Sequence, residues 1–597
     1  MLRDSDLVSI QEVRAKVEQA YAAFQQFRHF TQDQLDAIVE AMAAAARSHA
    51  ARLAQLAVEE TTYGNAKDKL AKNLLCADLL PRTIRGMKTT GVLREDTERK
   101  IIEIGVPVGV VAAILPTTNP TSSAIYKSII ALKSGNAIVL SPHPRARRCT
   151  CETAQVMYEA ARRAGAPEHI IQCINNATME GTEALMRHPR TGVILATGGA
   201  GIVKAAYSSG KPAYGVGPGN VPVLIDASAP LSEAVAKVVQ GKSFDYGTIC
   251  SSEQTIVALA GVRTEVLEEL RRHGAHLCSA DEAKALARIL IAPGWQINPD
   301  CVGQAPGKIA QKAGFAVPEG TKILAAEIGG VGKEHPLSME KLSPVLSILF
   351  VNNWEEQIRS CQAILKFGGL GHTSVVHATD PARIREFGLR IPSFRVLVNT
   401  PAPQGSTGIT TNLPPAMTLG CGAMAGNATS DNVGPQHLMN IRRVAMVVRR
   451  VEEAFEIPAA DGKATTAVPA GEVKQMVAAA VGRFLSERGL AGAAAPAATT
   501  PAMIATSVVD RFLAGRGGTL PAAAPPSAPA SCGCAVQPPA APAPPPPVAI
   551  HDFVCEADVR AAMNKNERIH IGPKTIVTPA ARELANQHDI LVTAQRS

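Results

Sequence analysis

The spacing of apolar residues changes near residue 100, and that change divides the chain. From residue 8 to about 90 apolar residues recur at helical intervals. Leu35, Ile38, Val39 and Met42 share one face, alanine is abundant, and no proline falls before Pro81. The pattern predicts long helices. From 101 onward short β-branched runs take over, at 101–115, 137–140, 192–195 and 221–225, with amphipathic stretches such as 151–164 between them. Strands alternating with helices imply a parallel α/β sheet. A second α/β region is expected from about 227 to 440, and 444–451 reads as a further strand.

After about 456 the periodicity gives way to a composition bias. Between Pro521 and Pro547 fall 11 of the 42 prolines, with alanine and serine filling the gaps, so 457–550 reads as a semi-extended, flexible linker. Two similar segments, 481–489 and 509–517, read as short amphipathic helices within it. Val473, Met476, Val477, Ala480, Val481 and Phe484 share a face of the first. Residues 551–597 regain helix and strand character as a small C-terminal segment.

A length of 597 residues predicts several domains, and 46% apolar with 19% charged residues is the balance of globular proteins. The net charge of +8 is spread along the chain, and aromatics at 4% are too few for base-stacking platforms, so nucleic acid is not expected as a partner. The uncharged residues after Glu103 raise the question of a membrane span, but Pro107, Pro116 and Pro120 would break the helix; with no apolar leader at the start, a soluble cytoplasmic protein is expected. Twelve cysteines read as reduced thiols, and Cys532, Cys534 and Cys555 lack a full metal-ligand set, so no metal is predicted.

Several positions carry chemistry. Cys250 lies among glycine and small hydroxyl residues, and the polar residues after it suggest a helical turn whose N–H groups favour a thiolate; a buried inert cysteine is the alternative. Asn119, at the exit of an apolar run, reads either as a turn residue before Pro120 or as an amide donor to an oxyanion. The 141–144 loop and Thr197-Gly-Gly199 follow strands, where parallel sheets bind nucleotides, although 197–201 lacks the full glycine fingerprint. His372, in Gly368-Gly-Leu-Gly-His-Thr373, and His377 are polar candidates near the site, with a structural histidine as the alternative, and are given no role.

Taken in order, Leu115-Pro-Thr-Thr-Asn119, Val139-Leu-Ser-Pro142, Thr197-Gly-Gly199, Gly215-Val-Gly-Pro-Gly-Asn220, Gly247-Thr-Ile-Cys250 and Glu340-Lys-Leu-Ser-Pro344 resemble the CoA-acylating (acetaldehyde or propionaldehyde) branch of the aldehyde dehydrogenase superfamily over roughly residues 5–450. The resemblance implies an α/β aldehyde dehydrogenase-like fold. A Rossmann-like cofactor domain would occupy 1–226 with part of an oligomerisation arm near 95–115, an α/β catalytic domain 227–440, and an oligomerisation strand 441–456. It implies Cys250 as nucleophile and Asn119 as oxyanion donor. Thr117, Thr118, Ser141, Pro142, His143, Pro144, Thr197, Gly198, Gly199 and Gly217 would flank the dinucleotide, and Glu340 would hold the nicotinamide ribose.

Hydrolytic relatives carry a glutamate in the segment matching 215–220, where it activates water. Here 208–225 holds no Asp or Glu, which argues for coenzyme A as acyl acceptor, because a thiol ionises far more readily than water. The expected reaction is NAD(P)-dependent oxidation of a short-chain aldehyde to acyl-CoA through a Cys250 thioester. NAD is the expected cofactor; NADP stays open because Ser141 and Pro144 put no acid beside a 2′-phosphate, and Arg145, Arg147 and Arg148 follow. A dimer or tetramer is expected. The tail segments resemble peptides that send such enzymes into bacterial microcompartments, which makes shell or cargo proteins expected partners. The rivals are a hydrolytic aldehyde dehydrogenase and a catalytically idle scaffold.

Overall fold

Polar caps open the N-terminal helices. Asp4 accepts from the N–H groups of Asp6 and Leu7 ahead of Ser5–Phe27, Thr31 and Gln34 close a capping box on Gln32–Thr61, and Asn65 caps Ala66–Leu74. The second helix buries the apolar stripe the sequence predicts, Leu35, Ile38, Val39 and Met42, and the first buries Val13 and Val17. The third does the opposite: its buried residues are Lys69, Lys72 and Asn73. The computed structural model describes residues 4–455, positions 471, 475, 478, 479 and 483, and 551–565, 567–578, 581, 584, 585 and 590–593. The tail segments 481–489 and 509–517 lie outside these, apart from Arg483. The chain divides into two units, 1–459 and 460–597.

The first unit contains a five-stranded parallel sheet in the order Ile171–Cys173, Ala137–Ser141, Val110–Ile114, Thr191–Thr197, Ala213–Val216. Val110–Ile114 is wholly buried at its centre, as expected of a β-branched strand covered by helices on both faces. The chain runs outward in one direction from this strand and then returns to continue on its other side, so the carboxyl ends of Val110–Ile114 and Thr191–Thr197 flank the point where strand order reverses.

A second parallel sheet has seven strands, ordered Ala275–Leu277, Ile323–Glu327, Val345–Val351, Glu253–Leu259, Val221–Ile225, Gly371–His377, Ser393–Val398. This moves the expected boundary at 226/227. Val221–Ile225 pairs with Glu253–Leu259 and Gly371–His377, so the second domain begins before it. A register shift at Val221/Pro222 accommodates the proline, which has no N–H to give the ladder. The boundary at 440 moves as well. Ala416, Met417, Leu419, Val433 and Leu438 pack into the core of the five-stranded sheet, and Ser134 and Asn136 donate to the carbonyls of Pro435 and Leu438, both at 2.7 Å.

A three-stranded antiparallel sheet joins Gly91–Asp96, Ile101–Pro107 and Met439–Ala445. The expected arm is corrected in two places. Residues 110–114 belong to the buried five-stranded sheet, because Gly109 (φ 122°) breaks the apolar run between the two strands. The strand expected at 444–451 lies at Met439–Ala445, where it extends along Ile101–Pro107, and Val451–Ala454 is a short helix. Among the described residues no helix is long and apolar enough to cross a membrane.

In the second unit, parallel strands His551–Val554, Ile569–Val577 and Leu591–Thr593 form a small sheet with the helix Glu556–Lys565. Val554, Val559, Ala562, Ile569, Ala581 and Ala585 fill its core.

Candidate active site

Cys250 sits between the helix Leu231–Ser243 and the strand Glu253–Leu259, partly buried and packed against the core of the five-stranded sheet. The chain reaches it through three consecutive left-handed residues, Asp245 (φ 47°), Tyr246 (φ 51°) and Gly247 (φ 73°). Such a run costs on the order of 1–3 kcal/mol per non-glycine residue and persists only where its surroundings enforce it. Here the enforcement is ionic. The buried Asp245 carboxylate pairs with Lys69 at 3.1 Å and with Lys72, accepts from the Asn65 N–H at 2.8 Å, and accepts from Thr248 Oγ1 at 2.7 Å. Burial works to raise Asp245, and the two ammonium groups outweigh it and hold it below the ordinary carboxylate value. Burial pulls Lys72 down to about 8, with Asp245 opposing.

Lys72 is the junction of the site. Its Nζ donates to Asn119 Oδ1 at 2.6 Å and to Thr248 Oγ1 at 2.9 Å, two residues before the thiol. With Oδ1 occupied, the Asn119 amide has a fixed sense: Nδ2 is the free donor end, resting on Thr118 Oγ1 at 3.0 Å. The helical turn expected after Cys250 is reduced to a single hydrogen-bonded turn, in which the Ser252 N–H donates to the Ile249 carbonyl at 2.9 Å. The chain enters a strand at Glu253, so no helix follows whose dipole would lower this thiol. Burial, then Glu340 and Cys421, push Cys250 up to about 12, with Arg395 opposing.

What faces the sulfur is His372, Nε2 to Sγ 3.1 Å. Burial and Arg395 hold this imidazole well below its ordinary value, so both partners rest neutral, and in the tautomer with its proton on Nδ1 the thiol donates to Nε2. Nδ1–H then donates to Thr373 Oγ1 at 2.9 Å, which also accepts from Arg395 Nε at 3.4 Å. The approach depends on Gly219, where a Cβ would lie 2.2 Å from the Cys250 carbonyl and 3.0 Å from the His372 ring. Sequence reading named His372 without a role. The signal it offered is a histidine ending a glycine run and starting an apolar strand.

The remaining expected residues gather at the carboxyl edge of the five-stranded sheet. Thr117 and Thr118 follow Ile114, Ser141 ends its strand opposite Ile114, Pro142, His143 and Pro144 continue from it, and Thr197 lies beside Val216, just before Gly217. Ser141 Oγ is buried and engaged with Thr182 Oγ1 at 3.0 Å, whereas His143 is exposed, its Nδ1 accepting from the Arg145 N–H at 3.1 Å. Thr197 Oγ1 is buried without a partner, and Gly199 opens the helix Ala200–Tyr207 with its N–H groups outward. Lys204, Gly217, Pro218 and Cys421 line a cavity of about 460 Å³ beside it. An orphaned hydroxyl, exposed helix-start amides and this cleft suit a dinucleotide. Glu340 Oε1 accepts from the Gly219 N–H at 3.2 Å, and burial raises its carboxyl to about 8. Of the trailing arginines, Arg147 donates to the Asn175 carbonyl at 3.2 Å and Arg148 faces Glu59 at 3.9 Å.

The Aldehyde dehydrogenase family profile matches residues 5–286. The bifunctional aldehyde-alcohol dehydrogenase of Escherichia coli K12 is 44% identical over 444 residues, 74% of this chain but 50% of that protein, so the chain spans about half the length of this curated relative. The solved acetylating aldehyde dehydrogenase of Geobacillus thermoglucosidasius is 50% identical and superposes with a TM-score of 0.74, covering 75% of this chain and 99% of that one. Two solved propionaldehyde dehydrogenases are each 27% identical with a TM-score of 0.66, covering 73% of this chain and 97% of theirs. One comes from a Clostridium phytofermentans fucose-utilisation microcompartment; the other, from Rhodopseudomonas palustris, holds CoA and an acylated cysteine.

Proposed function

From the premise that the chain belongs to the aldehyde dehydrogenase family, in its CoA-acylating branch, we propose that it converts a short-chain aldehyde such as acetaldehyde or propionaldehyde to acyl-CoA with NAD(P), through a thioester on Cys250. The observation that carries this reading is the neutral Cys250–His372 pair at 3.1 Å beside a glycine segment without a carboxylate. His372 Nε2 takes the thiol proton as sulfur attacks the aldehyde carbon. Asn119 Nδ2, its other end held by Lys72, donates to the developing oxyanion. A bound nicotinamide supplies the hydride acceptor. Thr197, the Gly198 and Gly199 amides, Gly217 and the 141–144 loop would hold the dinucleotide, and Glu340 its ribose. Because burial and Arg395 disfavour an imidazolium, His372 passes its proton on to solvent and is a base again when the CoA thiol arrives. It then takes that thiol's proton and returns it to Cys250 Sγ as acyl-CoA forms. Atoms balance: the aldehyde carbon loses its one hydrogen as hydride, the proton released is the one Cys250 gave up on attack, and the acyl group then passes from one sulfur to the other.

Glu340 favours a second reading. A buried carboxyl that titrates near 8, close enough to raise the Cys250 thiol, is matched to general-base work on water, which would release free acid. One assay separates the two. NADH formation from C2 to C4 aldehydes should show a burst of about one equivalent per site without CoA and continuous turnover with it. Continuous CoA-independent turnover to free acid contradicts the acylating reading.

Assembly and location complete the reading. Val444, Met446, Val447, Val448 and Val451 are exposed on and after the outer strand of the antiparallel sheet, an apolar patch that a second copy would cover in a dimer or tetramer. The tail segments and the likeness to a microcompartment enzyme support packaging within such a shell.

A further inference from the structure

Away from the catalytic cleft, two thiols meet on the cofactor domain. Cys151 lies early in the helix Arg147–Arg163, and Cys173 ends the edge strand Ile171–Cys173; their sulfurs are 2.8 Å apart. Among the described residues this is the one pair of cysteines with sulfurs in hydrogen-bond contact, and neither residue is fully buried. The two are not equivalent. The resting Cys151 thiol donates to the Ile174 carbonyl at 3.6 Å, while the Cys173 carbonyl accepts from Lys16, which is also paired with Glu12 at 2.8 Å. Arg147, which donates to the Asn175 carbonyl at 3.2 Å, adds a second cation, and Glu12 accepts from the N–H groups of Asn175 and Asn176 at 2.7 and 2.9 Å.

We propose that Cys151 and Cys173 are a redox-modified pair, in which Cys151 reacts with a peroxide and Cys173 resolves it to a reversible disulfide. The hydrogen bond from the Cys173 thiol, with Lys16 and Arg147, holds the Cys151 thiol below its ordinary value against its burial, whereas burial and Cys151 itself push Cys173 up. Cys151 is therefore the more readily ionised thiol of the two and Cys173 the one that keeps its proton. The Cys151 thiolate attacks one peroxide oxygen and the O–O bond breaks; with hydrogen peroxide the products are a sulfenic acid and hydroxide. Cys173 sulfur then attacks Cys151 sulfur, the S–O bond breaks, and water leaves with the Cys173 proton. Overall two thiols and one hydrogen peroxide give one disulfide and two waters, and a dithiol reductant reverses the outcome. Closing the present gap to the roughly 2.05 Å of a disulfide needs only a small side-chain movement.

The bond would staple the Arg147–Arg163 helix to the strand beside Ala137–Ser141, on either side of the 141–146 loop. Cys250 is also oxidisable, so the test reads peptides and not activity. The full-length protein is treated with hydrogen peroxide, its remaining thiols are blocked with N-ethylmaleimide, and its peptides are mapped. A 151–173 linked peptide, lost on dithiothreitol treatment, is expected. In Cys173→Ser, dimedone should label position 151, and in Cys151→Ser it should leave Cys173 unlabelled. Recovery of both cysteines as maleimide adducts after Cys250 has been oxidised would overturn the proposal, as would either one linked to another cysteine in the wild type. The wild-type map decides the pairing by itself if a variant does not fold.

Discussion

Cys250→Ser is expected to lose at least about 10³-fold in aldehyde-dependent NADH formation while keeping its fold and its affinity for the dinucleotide. The substitution changes one atom, so packing against the first core is kept, and the serine hydroxyl still reaches His372 Nε2, now 3.1 Å from the sulfur. What is lost is the nucleophile. A thiol already pushed up to about 12 is activated only by handing its proton to His372 during attack. A hydroxyl in the same place ionises still less readily and forms an ester, not a thioester, so transfer to CoA loses its near-balanced exchange. Steady-state kinetics with a dinucleotide titration checks this. Unchanged turnover would mean that the chemistry lies elsewhere or, with no turnover in either form, that the chain is a scaffold.

Lys72→Met is expected to lower kcat by about 10- to 100-fold with little change in KM for the aldehyde. Lys72 touches no reacting atom in this account. It is a positioning residue that holds Asn119 Oδ1 at 2.6 Å and Thr248 Oγ1 at 2.9 Å and ties both to Asp245. Without it the Asn119 amide is free to turn, and the donor no longer points where charge develops. The discriminating readout is a double-mutant cycle. If Lys72 acts through Asn119, Lys72→Met should cost little in an Asn119→Ala background, whereas a general structural defect would add its full penalty. Lys72→Arg gives no rescue under this account, because the bulkier planar fork does not fit a site built around one ammonium.

The alternation of apolar runs was enough to read two α/β regions, because central runs such as Val110–Ile114 and Val221–Ile225 are buried along their whole length. The β arm was implied only by the family resemblance, and its outer strand is exposed. The alternation was not enough to say which sheet a strand joins. Val221–Ile225 looks like the strands before it, and only its partners, Glu253–Leu259 and Gly371–His377, place it in the second sheet. The same blindness to long-range partners hid much of the site. Lys69 and Lys72 sit in a charged stretch that reads as a solvated helix face, yet their partner Asp245 is 176 and 173 residues away and buries them. His372 meets Cys250 across 122 residues, through a gap that only Gly219 leaves open. Cys250, Asn119, Thr197 and Glu340 stand out as candidates because their surroundings form ordered motifs, whereas Lys72 and His372, which contact Asn119 and Cys250, carry no local signature. Local polarity also overextended the backbone reading after Cys250: it suggested a helical turn favouring a thiolate, where the chain makes one hydrogen-bonded turn over 249–252 before the strand at Glu253 and burial keeps the thiol protonated.

The central claim is a covalent acyl group on one sulfur, and mass spectrometry of the protein quenched during aldehyde oxidation tests it most directly. With NAD(P) and propionaldehyde but no CoA, the peptide containing Cys250 should carry one propionyl group, and adding CoA before the quench should remove it and yield propionyl-CoA. An unmodified Cys250 peptide under conditions that have produced an equivalent of NADH, or an acyl group found on another residue, would contradict the account.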